Sequence, residues 1–543
     1  MRTILDLFFL PPMAVARVGG SNTPLEAYRW RDNKSVYGGH LTIIVPAVSF
    51  RIAEDGSIAP YMPETPFRFR DGPDIRPVAP FFELWARVQD PDDGSISEEP
   101  LTLELMKDAG IRRDAIAFRI IAGNQKASMR TGDAACSFTA RLEINGTDHS
   151  RHELLAYSRH NPGEEPLVFK DKPVPLGAFQ VIRPKTGTEM GIDCGVVRVR
   201  FTPGKGEVYG PPSAVAGPAS PLPPGDEAPA QTEYGRLHEI VPPENRILNE
   251  NATWTRYAQL AKDHDDPQPA DSYDGANVGN NQSWGVVDDT CDAVITANIV
   301  VAGQRFSAST RVLVGPPDFA PDRRPFYSCA DDLADRDLEN LDIEGDLELS
   351  QEEISDLFNR VFETVSLMNV DAVRTRAILE NAGTAGAKNF DGLPKIDKRS
   401  LTIDDKPYVD KSPELLQSDE PQLESRSVPH DRLPYSQAAA FVHTPLAEMD
   451  VMLEFLRSHA DHVRKLIRPA YPRFKEYEEN PDHDAPPNDH HRDPRNARDL
   501  LYDMRMPPYM RDSDESPLSL TRRQYRALMD LVDALENSEE AGT

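Results

Sequence analysis

Two stretches of this 543-residue chain gather side chains able to do chemistry. His483, His490 and His491 stand among Asp482, Asp484, Asp489 and Asp493, and imidazoles with carboxylates are the donors that zinc and iron take. Pro486, Pro487 and Asn488 break the run into a loop, so its spacing sets no ligand geometry. A polar loop is the favoured reading there, with a bound metal as the alternative. Trp284 and Cys291 lie seven residues apart, beside Asp288, Asp289 and Asp292. Trp284, Asp288 and Cys291 are the catalytic candidates, an indole and a thiol with a carboxylate at hand. The same aspartates suit a turn, where their side chains accept backbone N–H bonds, and the turn is favoured.

Weaker patterns surround these. Asn340, Asp342, Glu344 and Gly345 occupy positions 1, 3, 5 and 6 of a calcium-loop pattern, but position 12 is Gln351, which cannot supply the bidentate carboxylate. An acidic approach to a helix is the better reading. His459 and His462 share a helix face that otherwise looks exposed. No glycine-rich phosphate loop follows a strand, and no nucleophile elbow occurs.

The formal charge of −29 argues against a polyanion as partner, and no Lys/Arg cluster interleaves with aromatics, so nucleic acid is not expected. No apolar run reaches the roughly 20 residues that a membrane span needs. Met1 to Ala16 imitates a signal peptide, yet Asp6 and Pro11–Pro12 interrupt it; a first strand followed by a turn is expected instead. Four scattered cysteines without metal spacing read as buried free thiols in a reducing, cytoplasmic setting.

The elements that must position these residues change character along the chain. The 49 prolines against 32 glycines favour rigid turns and extended connectors. Leu41–Ile52, Phe67–Arg70, Phe81–Val88, Ala115–Ala122, Phe138–Ile144 and Val196–Phe201 are short β-type runs bounded by turn residues. They predict a sandwich or irregular barrel over 1–202. A Pro/Gly/Ala-rich connector spans 203–245, and a hairpin around Gly303 completes the β part within 246–330. Residues 331–543 predict helices with long loops: Ile354, Leu357, Phe358, Val361, Phe362 and Val365 follow a Ser350/Glu353 capping box. Met449, Met452, Leu453, Leu456 and Val463 follow Thr444–Pro445, and Thr521 with Gln524 caps a last helix. The fold class is therefore α+β.

Several segments, in order, resemble the LodA-like quinoprotein oxidases, the family of L-lysine ε-oxidase and glycine oxidase. They are Pro11–Gly19, Ile75–Phe82, Phe118–Ala127, Asp288–Ala293 leading through a hairpin to Val314–Pro321, and Met506–Pro507 with Leu518–Tyr525. The resemblance implies a bacterial-type amine or amino-acid oxidase whose cofactor, cysteine tryptophylquinone, is made from a C-terminal Cys and Trp. Here the last Cys is Cys329 and the last Trp is Trp284, so that cofactor cannot form in its usual place. A relocated quinone at Trp284 and Cys291 is chemically conceivable and disfavoured. The expected function is a cofactor-less, non-catalytic binding or scaffold protein, with a protein partner or a second copy as possible company. The alternative is an amine or amino-acid oxidoreductase with a replacement cofactor, a metal at the histidine-rich loop among the options.

Overall fold

The computed structural model describes residues 2–33, 41–212, 241–255, 285–301 and 303–318. Beyond these it describes 351–366, 402–403, 406–407, 449–460 and 520–540, with parts of 320–335 and 463–467. The chain divides into two compact units, one of residues 1–29 and 45–319, the other of 30–44 and 320–543.

Period-two alternation builds the first unit. Its main strands are β1 (Thr3–Leu10), β2 (Met13–Arg17), β3 (Phe81–Gln89), β4 (Ile96–Pro100), β5 (Ile116–Asn124) and β6 (Phe138–Asn145). They continue as β7 (His152–Ala156), β8 (Val174–Val181), β9 (Arg198–Pro203), β10 (Asp292–Val301) and β11 (Gln304–Gly315). One sheet runs β1-β3-β9-β8-β7 with β4 also on β3; the other runs β6-β5-β10-β11-β2. All these pairings are antiparallel except β2 on β11. Phe82, Leu84, Ala86 and Val88 of β3 and Phe118, Ile120 and Ala122 of β5 turn into one shared core, where the Phe118 and Phe179 rings lie 6.1 Å apart. Two faces that alternate this cleanly have only each other to bury against. The result is an α+β molecule whose first unit is a sandwich, and no barrel closes among the described strands.

The Gly303 hairpin forms as its sequence predicts, with Val301 opposite Gln304 and Gly303 at φ +85°. Two expectations change. Leu41–Ile52 is interrupted after Pro46, giving Leu41–Pro46 and Ser49–Ile52, because proline withholds the N–H that a continuing ladder needs. Of Phe67–Arg70 only Arg70 enters a strand, the two-residue Arg70–Asp71 that pairs with Asp74–Ile75. The alternation places Phe67 and Phe69 on Tyr28, with ring centroids 5.0 and 5.5 Å away, so the aromatics pack without a ladder.

In the second unit the short helices α1 (Leu103–Asp108) and α2 (Lys126–Thr131) of the sandwich give way to α3 (Gln351–Ser366), α4 (Met449–Ser458) and α5 (Arg522–Glu540). Ile354, Leu357, Phe358 and Val361 of α3, Met452 and Leu456 of α4, and Leu528, Val532 and Leu535 of α5 are buried, as their 3–4 spacing requires. Thr521 and Gln524 form a reciprocal capping box: the Gln524 N–H donates to Thr521 Oγ1 at 3.1 Å and the Thr521 N–H donates to Gln524 Oε1 at 3.0 Å. No described helix is long and apolar enough to cross a membrane.

Candidate functional site

The turn leading into β10 holds Asp288 and Cys291, and segments distant in sequence lock it. Asn124, the last residue of β5, donates from Nδ2 to the Thr290 carbonyl at 3.0 Å and the Asp288 carbonyl at 3.2 Å. Its Oδ1 accepts the Lys126 N–H at 3.0 Å, which turns the chain into α2. Lys126 Nζ then reaches back across the turn, to Asp288 Oδ2 at 2.7 Å and Thr290 Oγ1 at 2.9 Å. Thr290 Oγ1 in turn donates to Asp288 Oδ1 at 2.7 Å. Asp288 is thus a partner of Lys126 and a turn acceptor, as the local pattern suggests.

Asp289 points the other way and is 1% exposed. Both its oxygens accept the Gly206 N–H at 3.0 Å, and Oδ2 accepts the Glu207 N–H at 3.2 Å. The approach depends on glycine: a Cβ on Gly204 would lie 2.5 Å from Asp289 Oδ2, and Gly206 sits at φ +81°. Burial pushes the Asp289 carboxyl up to about 6, against the backbone N–H bonds that favour its charged form. Val208–Tyr209 then ladders with Val287–Asp288, so the start of the proline-rich stretch is fastened to this turn.

Cys291 is buried in the sandwich core, its Sγ directed at the Leu176 carbonyl 3.7 Å away. Burial, reinforced by Asp292, Asp289 and Asp288, pushes its thiol far above the ordinary range. A thiol in that state is neither a nucleophile nor open to an approaching amine. Trp284 lies outside the described residues, as do His483, His490, His491 and His462, and Asn340, Asp342, Glu344 and Gly345. His459 is exposed, with Nδ1 2.8 Å from Ser458 Oγ. Cys136, Cys194 and Cys291 are all buried and unbridged.

Around the Asp288 turn opens a cleft of about 1020 Å³. Val18 to Gly20, Asp74 and Ile75, Lys126 and Ala127, Val287 and Asp288, and Pro316 and Pro317 are in its wall. Pro11–Gly19, Ile75–Phe82, Phe118–Ala127, Asp288–Ala293 and Val314–Pro321 therefore each put residues in this wall, whereas Met506–Pro507 lies outside the described residues and Leu518–Tyr525 belongs to the second unit. Backbone bonds tie the wall segments together: Val18 N–H to Gly315 O at 3.0 Å, Val78 N–H to Arg17 O at 3.0 Å and Val314 N–H to Cys291 O at 2.9 Å. Arg70, Lys126, Arg130 and Lys205 line the cleft with two carboxylates, Asp74 and Asp288, and with apolar residues that include Trp254 and Val286. The Trp254 indole is fixed by its Nε1–H bond to Val286 O at 2.9 Å. Sequence reading flags the Asn124–Lys126 and Asp288–Thr290 segments separately; their pairing, Asp289's buried seat and the cleft itself emerge only in three dimensions.

With this geometry in place, comparison with solved structures gives a weak likeness to L-lysine ε-oxidase from Marinomonas mediterranea. Two structures match alike, one of them the Schiff base intermediate with L-lysine. Each aligns with 63% of this chain at 14% identity and a TM-score of 0.32. The alignment spans 40% of the oxidase's own length. No protein-family model matches the chain, and no curated protein matches it.

Proposed function

We propose that this chain is a LodA-like homologue without cysteine tryptophylquinone, acting as a non-catalytic binding protein whose ligand seat is the cleft at the Asp288 turn. The observation that carries the reading is the commitment of every described catalytic candidate there. Asp288 is tied to Lys126 and Thr290, and Cys291 is sealed in the core with its thiol held protonated. What the cleft offers is a binding surface lined by apolar residues and by more cations than carboxylates. Such a surface suits a small molecule that carries a negative group. Residues of the resembling segments of the first unit line it, which supports a retained framework put to another use.

Intact mass of the denatured protein and peroxide release with L-lysine, glycine and simple amines test the non-catalytic part. A mass equal to that of the sequence and no peroxide are expected. Lost hydrogens and gained oxygen mapping to a Trp284–Cys291 peptide would make the protein an amine oxidase with a relocated cofactor. A thermal-shift panel of small organic acids and amino acids tests the binding part: a hit should stabilise the wild type and lose most of its effect in Lys126→Met.

A further inference from the structure

A second cavity of about 690 Å³ lies on the outer face of the first sheet, walled by residues 22–28, 48–52 and 78–81 with Tyr61 and Arg200. Strand β9 alternates: Val199 and Phe201 are fully buried in the core, so Arg198 and Arg200 emerge on the opposite face. Register then treats the two arginines differently. Arg198 stands opposite Glu83 of β3, and its Nε donates to Glu83 Oε1 at 2.7 Å. Two residues on, Arg200 stands opposite Phe81 on one side and Gln180 on the other. Neither supplies a carboxylate, and the Gln180 amide already donates to His149 O at 3.0 Å. Arg200 Nε is buried with no hydrogen-bond partner, and the guanidinium lies over the Phe81 ring, 5.0 Å from its centroid. Burial, with Arg151 adding like charge, pulls its pKa down to about 10.

The one carboxylate in the cavity wall is occupied. Glu26 accepts from Arg76 at 2.6 Å and from the Tyr61 hydroxyl at 3.0 Å. Arg51 adds a second cation, its guanidinium 4.6 Å from the Tyr61 ring centroid. Phe50 and Phe81, edge to face at 5.2 Å, supply an apolar wall. A guanidinium partly withdrawn from water, its Nε without a partner, is destabilising, and a carboxylate is the planar partner that a guanidinium fork fits.

We propose that this cavity binds a small organic carboxylate, its charged end on Arg200 and its apolar body against Phe50 and Phe81. The site is separate from the Asp288 cleft and stands or falls independently of the function assigned to that cleft. Benzoate is the probe, titrated calorimetrically into the full chain. Saturable binding is expected in the wild type, with affinity at least tenfold weaker in Arg200→Gln and in Ala27→Phe, which fills the cavity from its exposed rim while leaving the arginine in place. Lys126→Met, altered only in the other cleft, and Arg183→Gln, exposed and paired with Asp55 outside the cavity, should bind as the wild type does. Without ligand, Arg200→Gln should melt no lower than the wild type, because it removes an uncompensated charge. Absent benzoate binding, binding that survives both cavity variants, or inorganic phosphate binding in place of benzoate would each overturn the proposal.

Discussion

Asp289 and Asp288 are neighbours of one residue type with opposite surroundings, and their roles divide accordingly. Asp289→Ala leaves the Gly206 and Glu207 N–H groups without their acceptor. An unsatisfied buried donor costs about 1–3 kcal/mol, measurable by urea unfolding at about pH 4. The pH dependence has a definite sign. Burial raises the folded pKa from 3.8 to about 6, so the folded state holds this proton more tightly than the unfolded chain does. The group's contribution is complete below about pH 4 and is lost as pH rises through 6. The stability gap between wild type and Asp289→Ala should narrow over that window; a gap that widens would mean a depressed carboxyl instead. On the other side of the turn, Asn124 is 3% exposed and satisfies two backbone carbonyls, whereas the Lys126 and Asp288 side chains are 54% and 33% exposed. Solvent screens the second pair and not the first. Asn124→Ala should therefore destabilise by about 1–3 kcal/mol and Lys126→Met by less than about 1 kcal/mol, an order that equilibrium denaturation resolves.

At the scale of elements, the start of α5 concentrates the same physics. Besides the Thr521–Gln524 box, the buried Asp335 carboxylate accepts the Arg523 N–H at 3.0 Å and faces the Arg522 guanidinium at 3.3 Å. Negative charge at a helix N-terminus is favourable, and removing it here also takes an ion pair from a partly buried arginine. Asp335→Ala should lower stability by about 2–3 kcal/mol and Thr521→Ala by about 1 kcal/mol, read as loss of amide protection in the first turn of α5. An equal effect of the two would mean that the capping box alone holds the turn. Thr521 and Gln524 were legible because a capping box is written within four residues, whereas Asp335 lies far away in sequence and carries no local mark. The same limit governs the strands. The Gly303 hairpin was legible because two alternating runs flank a residue suited to positive φ. Phe67–Phe69 misled because alternation reports which side chains share a face, and it is silent on whether a neighbouring strand exists to pair with; only Arg70 of that run found one. The Asp288 turn was legible as a turn; the clamp on it from Asn124 and Lys126 was not, since it depends on where β5 ends in space. Arg200 could be placed on the outer face from its spacing to Arg198. That Glu83 serves one arginine and not the other is a matter of register alone.

For the whole molecule the central fact is charge. Acidic residues number 89 against 60 basic ones, so folding gathers a net −29 into compact bodies that repel themselves. Against that background both cavities carry arginine or lysine in excess of free carboxylate, which sets up a contest between long-range repulsion of an anion and short-range attraction at its seat. Salt separates the two. At about 0.1 M the screening length is about 10 Å, enough to weaken repulsion spread over a surface and too long to abolish a contact at hydrogen-bond distance in a cavity. Raising ionic strength from about 0.01 M to about 0.15 M should therefore raise the melting temperature by a few degrees, because self-repulsion is relieved first. Many of the exposed ion pairs, such as Arg87–Glu98 with both side chains about half exposed, contribute too little to reverse the trend. Arg76–Glu26 and Arg198–Glu83, whose arginine side chains are only 6% and 4% exposed, are shielded from the added ions. A melting temperature that falls with salt would show that attraction within the exposed ion pairs, rather than net charge, dominates the electrostatic balance, since the two buried arginines are out of reach of the added ions.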